Sequence, residues 1–260
     1  MEITLRDRRA LVTGANSGLG ASIASQLAAA GARVAVNYVV QPEAAAAVVD
    51  GIRRGGSDAM AVQADVGDPE QVGAMFATLD QAWGGLDILV NNAGIDGPRA
   101  LSWEADPKEW ERVVRIDLLG AFHCAREALR RMVVRRSGVV LNMTSVHEKI
   151  PWSGYGAYAA AKAGLSMLTK TLAQEAAPFA VRVLALAPGA IRTPINRSVW
   201  SDPDNLRDLL TKIPLGRIGE PEEIARVAAF LVSDAASYLT GSTVYADGAM
   251  IDYPDFGHGG

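Results

Sequence analysis

The chain has 260 residues, 49% hydrophobic and 21% charged, a balance that fills a sizeable core in one large α/β domain or two small ones. A net charge of -4 gives no electrostatic reason to expect nucleic acid or an anionic membrane surface as a partner. Cys124 is the only cysteine, which excludes an intrachain disulfide and a Cys-ligated zinc site, and His123, His147 and His258 are scattered without a metal-ligand spacing. The opening run Met1-Glu-Ile-Thr-Leu-Arg-Asp-Arg-Arg9 has no apolar signal core, and no later stretch is long enough to span a bilayer. The expectation is a cytoplasmic protein with a small-molecule substrate, no metal and no membrane.

A β-branched run at 10–13 predicts the first strand. It leads directly into Thr13-Gly-Ala-Asn-Ser-Gly-Leu-Gly20 and a helix over 19–30. Gly14, Gly18 and Gly20 let the backbone turn sharply and approach a pyrophosphate, which the helix start then meets with unpaired N–H groups and a positive dipole end. Strand 33–37 and helix 42–54 follow, then strand 59–63 and Asp65. That carboxylate suits an adenine amino group, or alternatively caps the helix predicted over 69–83. Strand 86–91 closes on Asn91-Asn92-Ala93-Gly94, small residues against which a cofactor can lie at a strand's carboxyl end.

Strand 139–143 precedes Ser145, and Tyr158-Ala-Ala-Ala-Lys162 opens a helix over 158–176. The i, i+4 spacing puts both side chains on one face, where an ammonium favours the phenolate form of a residue that ordinarily titrates near about 10. Tyr155 is a rival phenol, but residue 159 is alanine, so it lacks a lysine partner. Leu165, Leu168 and Leu172 on this helix serve a core or an interface, with core the role for at least two. Strand 181–186, helix 221–233 with Pro221, Glu222 and Glu223 at its start, and strand 243–245 complete the alternation. Apolar strands separated by helices predict a parallel sheet covered on both faces, in one domain spanning residues 1–260.

These motifs, in this order and spacing, with Pro188-Gly189 after the sixth strand, resemble the short-chain dehydrogenase/reductase family over nearly the whole chain. The resemblance implies a doubly wound, Rossmann-like α/β fold that transfers hydride to or from NAD or NADP, commonly as a homotetramer. By it, Tyr158 is the general acid/base, Ser145 orients the substrate oxygen, and Lys162 binds the nicotinamide ribose and tunes Tyr158. It assigns the coenzyme to Gly14, Asn16, Ser17, Gly18, Leu19 and Gly20. Tyr38, Asp65, Val66, Asn92, Ala93 and Gly94 continue that surface, and Tyr158, Lys162, Pro188, Gly189, Ile191 and Thr193 complete it. Thr193 matches the position that holds the carboxamide.

Within the family the pattern is similar to bacillus-type glucose 1-dehydrogenases, on 145–152, 193–196, 218–225 and Tyr253-Pro-Asp-Phe256. That similarity implies oxidation of a sugar C1 hydroxyl to a lactone, with Asp96, Ser145, His147, Lys149, Tyr158 and Asn196 meeting the substrate and Glu148 as a further acceptor. The loops at 94–106, 145–157 and 189–215 would border it. A carbonyl or 3-oxoacyl thioester reductase keeps the same catalytic residues, and a coenzyme-binding regulator without turnover is a third reading.

Two positions depart from the pattern. Asp117 stands where the family usually has Asn, which stabilises a helix bend and a proton relay; its charge would instead pair with Lys162. Val39 stands where related glucose dehydrogenases carry an arginine for a 2′-phosphate, and no acid is present for a ribose diol, so the choice of coenzyme tilts only slightly to NAD.

Overall fold

The computed structural model describes residues 3–252. Seven strands form one all-parallel sheet: β1 (Arg9–Val12), β2 (Arg33–Tyr38), β3 (Ala59–Gln63), β4 (Ile88–Asn91), β5 (Gly138–Met143), β6 (Val181–Pro188) and β7 (Thr243–Ala246). Their order is β3-β2-β1-β4-β5-β6-β7, so the sequence of strand addition switches sides between β1 and β4 and opens a crevice at the strands' carboxyl ends. At the opposite ends, Arg9 and Asp87 tie β1 to β4 by a bidentate pair with contacts of 2.7 and 2.8 Å.

The helices are α1 (Gly18–Ala29), α2 (Pro42–Arg54), α3 (Pro69–Trp83), α4 (Pro107–Val114), α5 (Ala121–Arg135), α6 (Gly156–Ala176), α7 (Arg197–Trp200), α8 (Pro203–Leu210) and α9 (Pro221–Val232). Successive strand residues point to opposite faces, and here both faces are apolar. Ala10 and Val12 join α1, α2 and α9 in one core, while Leu11 joins α3, α5 and α6 in the other. Phe76 is fully buried in the second core, and truncating such a ring to Ala costs roughly 3–5 kcal/mol. Cys124 lies in the same core, where burial pushes its thiol up to about 12 and leaves it unreactive.

All seven expected strands are present, and the five expected helices match to within one or two residues. Helices α4 and α5 escaped the periodic pattern because a π-helical turn, Arg115–Gly120, lies between them and shifts the phase of the apolar face. Leu165 and Leu172 are core residues and Leu168 is partly buried, in keeping with the expected division. Asp65 does not cap α3; Asp68 does, accepting from the N–H groups of Glu70 and Gln71. No helix among the described residues is long and apolar enough to cross a membrane, and none of their His, Cys, Asp and Glu side chains form a group of three able to hold a metal. The motif Tyr253-Pro-Asp-Phe256 and His258 lie outside the described residues.

Candidate active site

A cleft of about 820 Å³ opens over the carboxyl ends of the central strands. At one end the glycine loop passes under it. A Cβ on Gly20 would sit 2.4 Å from the Gly14 carbonyl oxygen and 2.5 Å from Asn92 Nδ2, and Gly14 and Gly18 have φ of 58° and 52°. Glycine is therefore required for this close approach. Ser17 makes no side-chain cap to α1, and the first turn carries no acid, so its N–H groups and positive dipole end face the cleft uncompensated. Anionic diphosphate matches that surface.

Asn92 and Thr13 lock the loop to β4. Asn92 Nδ2 donates to the carbonyls of Thr13 and Gly14, and the Asn92 and Ala93 N–H groups donate to Thr13 Oγ1. Asn92 and Gly94 line the cleft, whereas Gly14 and Ala93 pack against each other behind it. Asn16 is spent on the Val40 carbonyl, Tyr38 packs on the first core, and Val66 is buried against Gly120, so none of these three lines the cleft. Asp65 also lies outside it; one oxygen accepts from the Gly67 N–H and the other is 3.5 Å from Arg115.

Toward the cleft's other end, Tyr158 and Lys162 lie on the face of α6 that meets Ser145, which follows β5. Lys162 Nζ donates to the Met143 carbonyl at 3.2 Å and is 5.4 Å from the Tyr158 ring centroid. Asp117 projects from the π-helical turn with its Oδ2 at 3.1 Å from that ammonium, while its Oδ1 accepts from the Ile95 N–H at 2.8 Å. The pair is a buried ion contact, and Lys162 is the group that Oδ2 faces. The expected pairing with Lys162 is present, and Asp117 sits in the π-helical turn that separates α4 from α5.

These groups set one another's proton affinity. Burial pushes the Tyr158 phenol above its ordinary value; the Lys162 ammonium and the Ser145 hydroxyl oppose it, and the carboxylates of Asp96 and Asp117 add to the rise. Burial penalises the Lys162 ammonium, yet Asp117 and then Tyr158 hold it above the usual lysine range. Burial likewise raises Asp117 and Asp96, the latter helped by its neighbour Asp117.

The loop after Ser145 builds an aromatic wall. The rings of His147 and Trp152 stack at 4.4 Å, those of Trp152 and Tyr155 at 3.9 Å, and Trp152 meets Tyr158 edge-on at 5.8 Å. Burial lowers the His147 pKa, and its Nδ1 faces the Ile150 carbonyl at 3.1 Å, so a neutral ring donating there leaves Nε2 as an acceptor.

The expected polar substrate set is smaller than the sequence implied. Lys149 does not line the cleft; its ammonium lies 4.6 Å from the Tyr245 ring centroid. Glu148 is likewise turned away, accepting from Ser166 and Tyr245. Asn196 reaches the cleft, but its amide closes a cap, donating to the Ile191 carbonyl and accepting from the N–H and hydroxyl of Thr193. Asp96, Ser145, His147 and Tyr158 remain, with Pro188, Gly189, Ile191 and Thr193 along the floor. Trp152 and Tyr155 are wall residues on the 145–157 loop expected to border the substrate, where Tyr155 is weighed only as a rival phenol; their spacing of three before Tyr158 is the available signal of a wall.

Comparison with known proteins agrees with this geometry. A family model described as enoyl-(acyl carrier protein) reductase matches residues 14–250. A 3beta-hydroxysteroid dehydrogenase from Eggerthella lenta is 44% identical over 256 residues, 98% of each chain. A 3-oxoacyl-(acyl-carrier-protein) reductase from Staphylococcus aureus is 42% identical over 244 residues, covering 94% of this chain and 98% of its own. The crystal structure of a gluconate 5-dehydrogenase from Burkholderia cenocepacia, in complex with NADP and tartrate, superposes with a TM-score of 0.92 at 34% identity, covering 96% of this chain and 98% of that one. Sheet order, cleft and near full-length likeness converge: the chain is an oxidoreductase of the short-chain dehydrogenase/reductase family.

Proposed function

We propose that the chain interconverts a secondary hydroxyl and a ketone on a ring with an apolar face, exchanging hydride with NAD(P), as a cytoplasmic homotetramer. The observation that carries the substrate class is the stack of His147, Trp152 and Tyr155 set beside Tyr158. Such a wall gives a flat alicyclic body dispersion contacts and offers it few hydrogen-bond donors. The hydroxysteroid dehydrogenase among the relatives supports the same class.

When bound, the nicotinamide coenzyme supplies the hydride acceptor or donor. The glycine loop, with Ser17, Leu19 and the start of α1, would hold its diphosphate. Outside the cleft proper, Asp65 and Val66 after β3 would meet the adenine and Asn16 and Tyr38 would back the adenosine end, while within it Thr193 with Ile191 would face the carboxamide. In the oxidation direction Tyr158 accepts the hydroxyl proton as phenolate, Ser145 donates a hydrogen bond to the substrate oxygen, and the Lys162 ammonium stabilises the phenolate. The loops 94–106, 145–157 and 189–215 border the substrate. Val39 and Val40, exposed after β2, offer no charge to a 2′-phosphate, which favours NAD.

Oxidation of a sugar C1 hydroxyl is the second reading, favoured by the carboxylate of Asp96 in the cleft. It ranks second because Glu148, Lys149 and Asn196 direct their polar atoms elsewhere. Steady-state oxidation with NAD and NADP of 3-hydroxysteroids, substituted cyclohexanols, glucose and gluconate separates the two. We expect kcat/KM on the best ring alcohol to exceed that on glucose by at least about tenfold, about 1.4 kcal/mol of transition-state discrimination, and Tyr158→Phe to abolish both. A higher kcat/KM on glucose would replace the first reading by the second.

A further inference from the structure

Tyr245 lies on the edge strand β7, paired in register with Ala187, and so sits beside the Pro188-Gly189 floor of the cleft. Two consecutive residues of the substrate loop attach to it. Its hydroxyl donates to Glu148 Oε1, which also accepts from Ser166 Oγ on α6 at 3.0 Å, and the Lys149 ammonium lies 4.6 Å from its ring centroid. The attachment thus joins the short helical turn Val146–Glu148 to both β7 and α6. From that turn His147 extends into the cleft and carries Trp152 by stacking.

We propose that Tyr245 and Glu148 form a latch that positions the His147–Trp152 wall over Tyr158, making Tyr245 a positioning residue for substrate rather than a surface residue of an edge strand. The proposal rests on the reading of this cleft as the substrate site. Its chemistry is that of a carboxylate held along one edge: Oε1 takes both donors and Oε2 is buried with none. Removing the tyrosine hydroxyl leaves one donor to the carboxylate, and removing the carboxylate leaves both donors without their acceptor. Burial and the adjoining Glu148 carboxylate raise the Tyr245 pKa, so the hydroxyl stays protonated and able to donate across the ordinary working range. Within 146–152 the other side-chain hydrogen bonds, from the His147 N–H to Ser145 and between the His147 ring and the Ile150 carbonyl, are internal to the loop.

The test uses the full-length chain and two readouts. Amide hydrogen exchange over 146–152 should accelerate about fivefold or more in Tyr245→Phe and further in Glu148→Ala, with exchange in β1 and α1 unchanged. In the same variants KM for the best substrate should rise about fivefold while kcat stays within about twofold and the affinity for NAD, read by protein fluorescence, does not move. Glu148→Gln keeps an oxygen for both donors and should restore most of the protection and of KM. Unchanged exchange over 146–152 in both Tyr245→Phe and Glu148→Ala would overturn the latch, as would an equal loss in Glu148→Gln. The exchange readout decides the latch even if no alcohol in the panel is oxidised, an outcome that would sink the functional reading alone.

Discussion

Asp117 places a carboxylate 3.1 Å from the ammonium that faces Tyr158. A negative charge there disfavours phenolate, so it raises the pH at which Tyr158 can accept a proton. Asp117→Asn keeps the shape and the Ile95 N–H acceptor but removes the charge. The sign is then fixed: the phenol ionises at lower pH, and the acid limb of the oxidation profile moves to lower pH. That displacement to lower pH is read from pH–rate profiles of kcat/KM on the same substrate. An acid limb that stays in place would leave Asp117 as a feature of the helix bend alone. At this scale the sequence was uneven. Tyr158 and Lys162 were legible because i, i+4 spacing fixes a shared helix face, and Asp117 because its pairing follows from charge. Lys149 and Glu148 were not, since adjacent residues on a short turn point in different directions and nothing local says which enters the cleft. Tyr245 left no signal, because its partner Glu148 is 97 residues away.

Among elements, α1 combines an uncapped start with the glycine loop. Helices α3, α4 and α8 are each capped by an aspartate, Asp68, Asp106 and Asp202, whereas α1, like α2, α5, α6 and α7, has no side-chain cap. Of those uncapped starts, that of α1 is the one beneath which the three glycines converge, and this conjunction supports the proposed anion site. The loop and helix were legible because glycine spacing and a following amphipathic run are both local. The segment 107–135 was not, because the π-helical turn breaks the 3.6-residue phase that would have revealed it. The end of β2 carries the coenzyme prediction. Val39 is 46% exposed there, and an arginine in its place has room to reach a 2′-phosphate. Val39→Arg should shift the ratio of kcat/KM for NADP over NAD upward by about tenfold, from charge-assisted bonds of about 1.5–3 kcal/mol. An unchanged ratio would place the determinant elsewhere on the adenosine side.

For the whole molecule, strand alternation predicted a sheet covered on both faces, and the strand order that creates the crevice followed from the family likeness rather than from any local pattern. The two cores do not merge: one packs α1, α2 and α9, the other α3, α5 and α6, with the sheet between them. The glycine loop and α1 belong to the first side, and Tyr158, Lys162 and Asp117 extend from helices on the second. NAD at about one hundred times its Kd should therefore stabilise the fold by about 2.7 kcal/mol and raise Tm by about 5–10 °C, measured by scanning calorimetry. A Tm that ignores NAD would mean the cleft does not bind it. The separation has a mechanical meaning as well. With a packed shell on each face, the sheet is the wall that the two halves share. The Asn92–Thr13 clasp rivets the glycine loop to the end of β4 in that wall, and Lys162 is fastened to β5 through the Met143 carbonyl. Registration of the loop against the catalytic pair is thus carried by the edge of the sheet, as a line of rivets carries two plates.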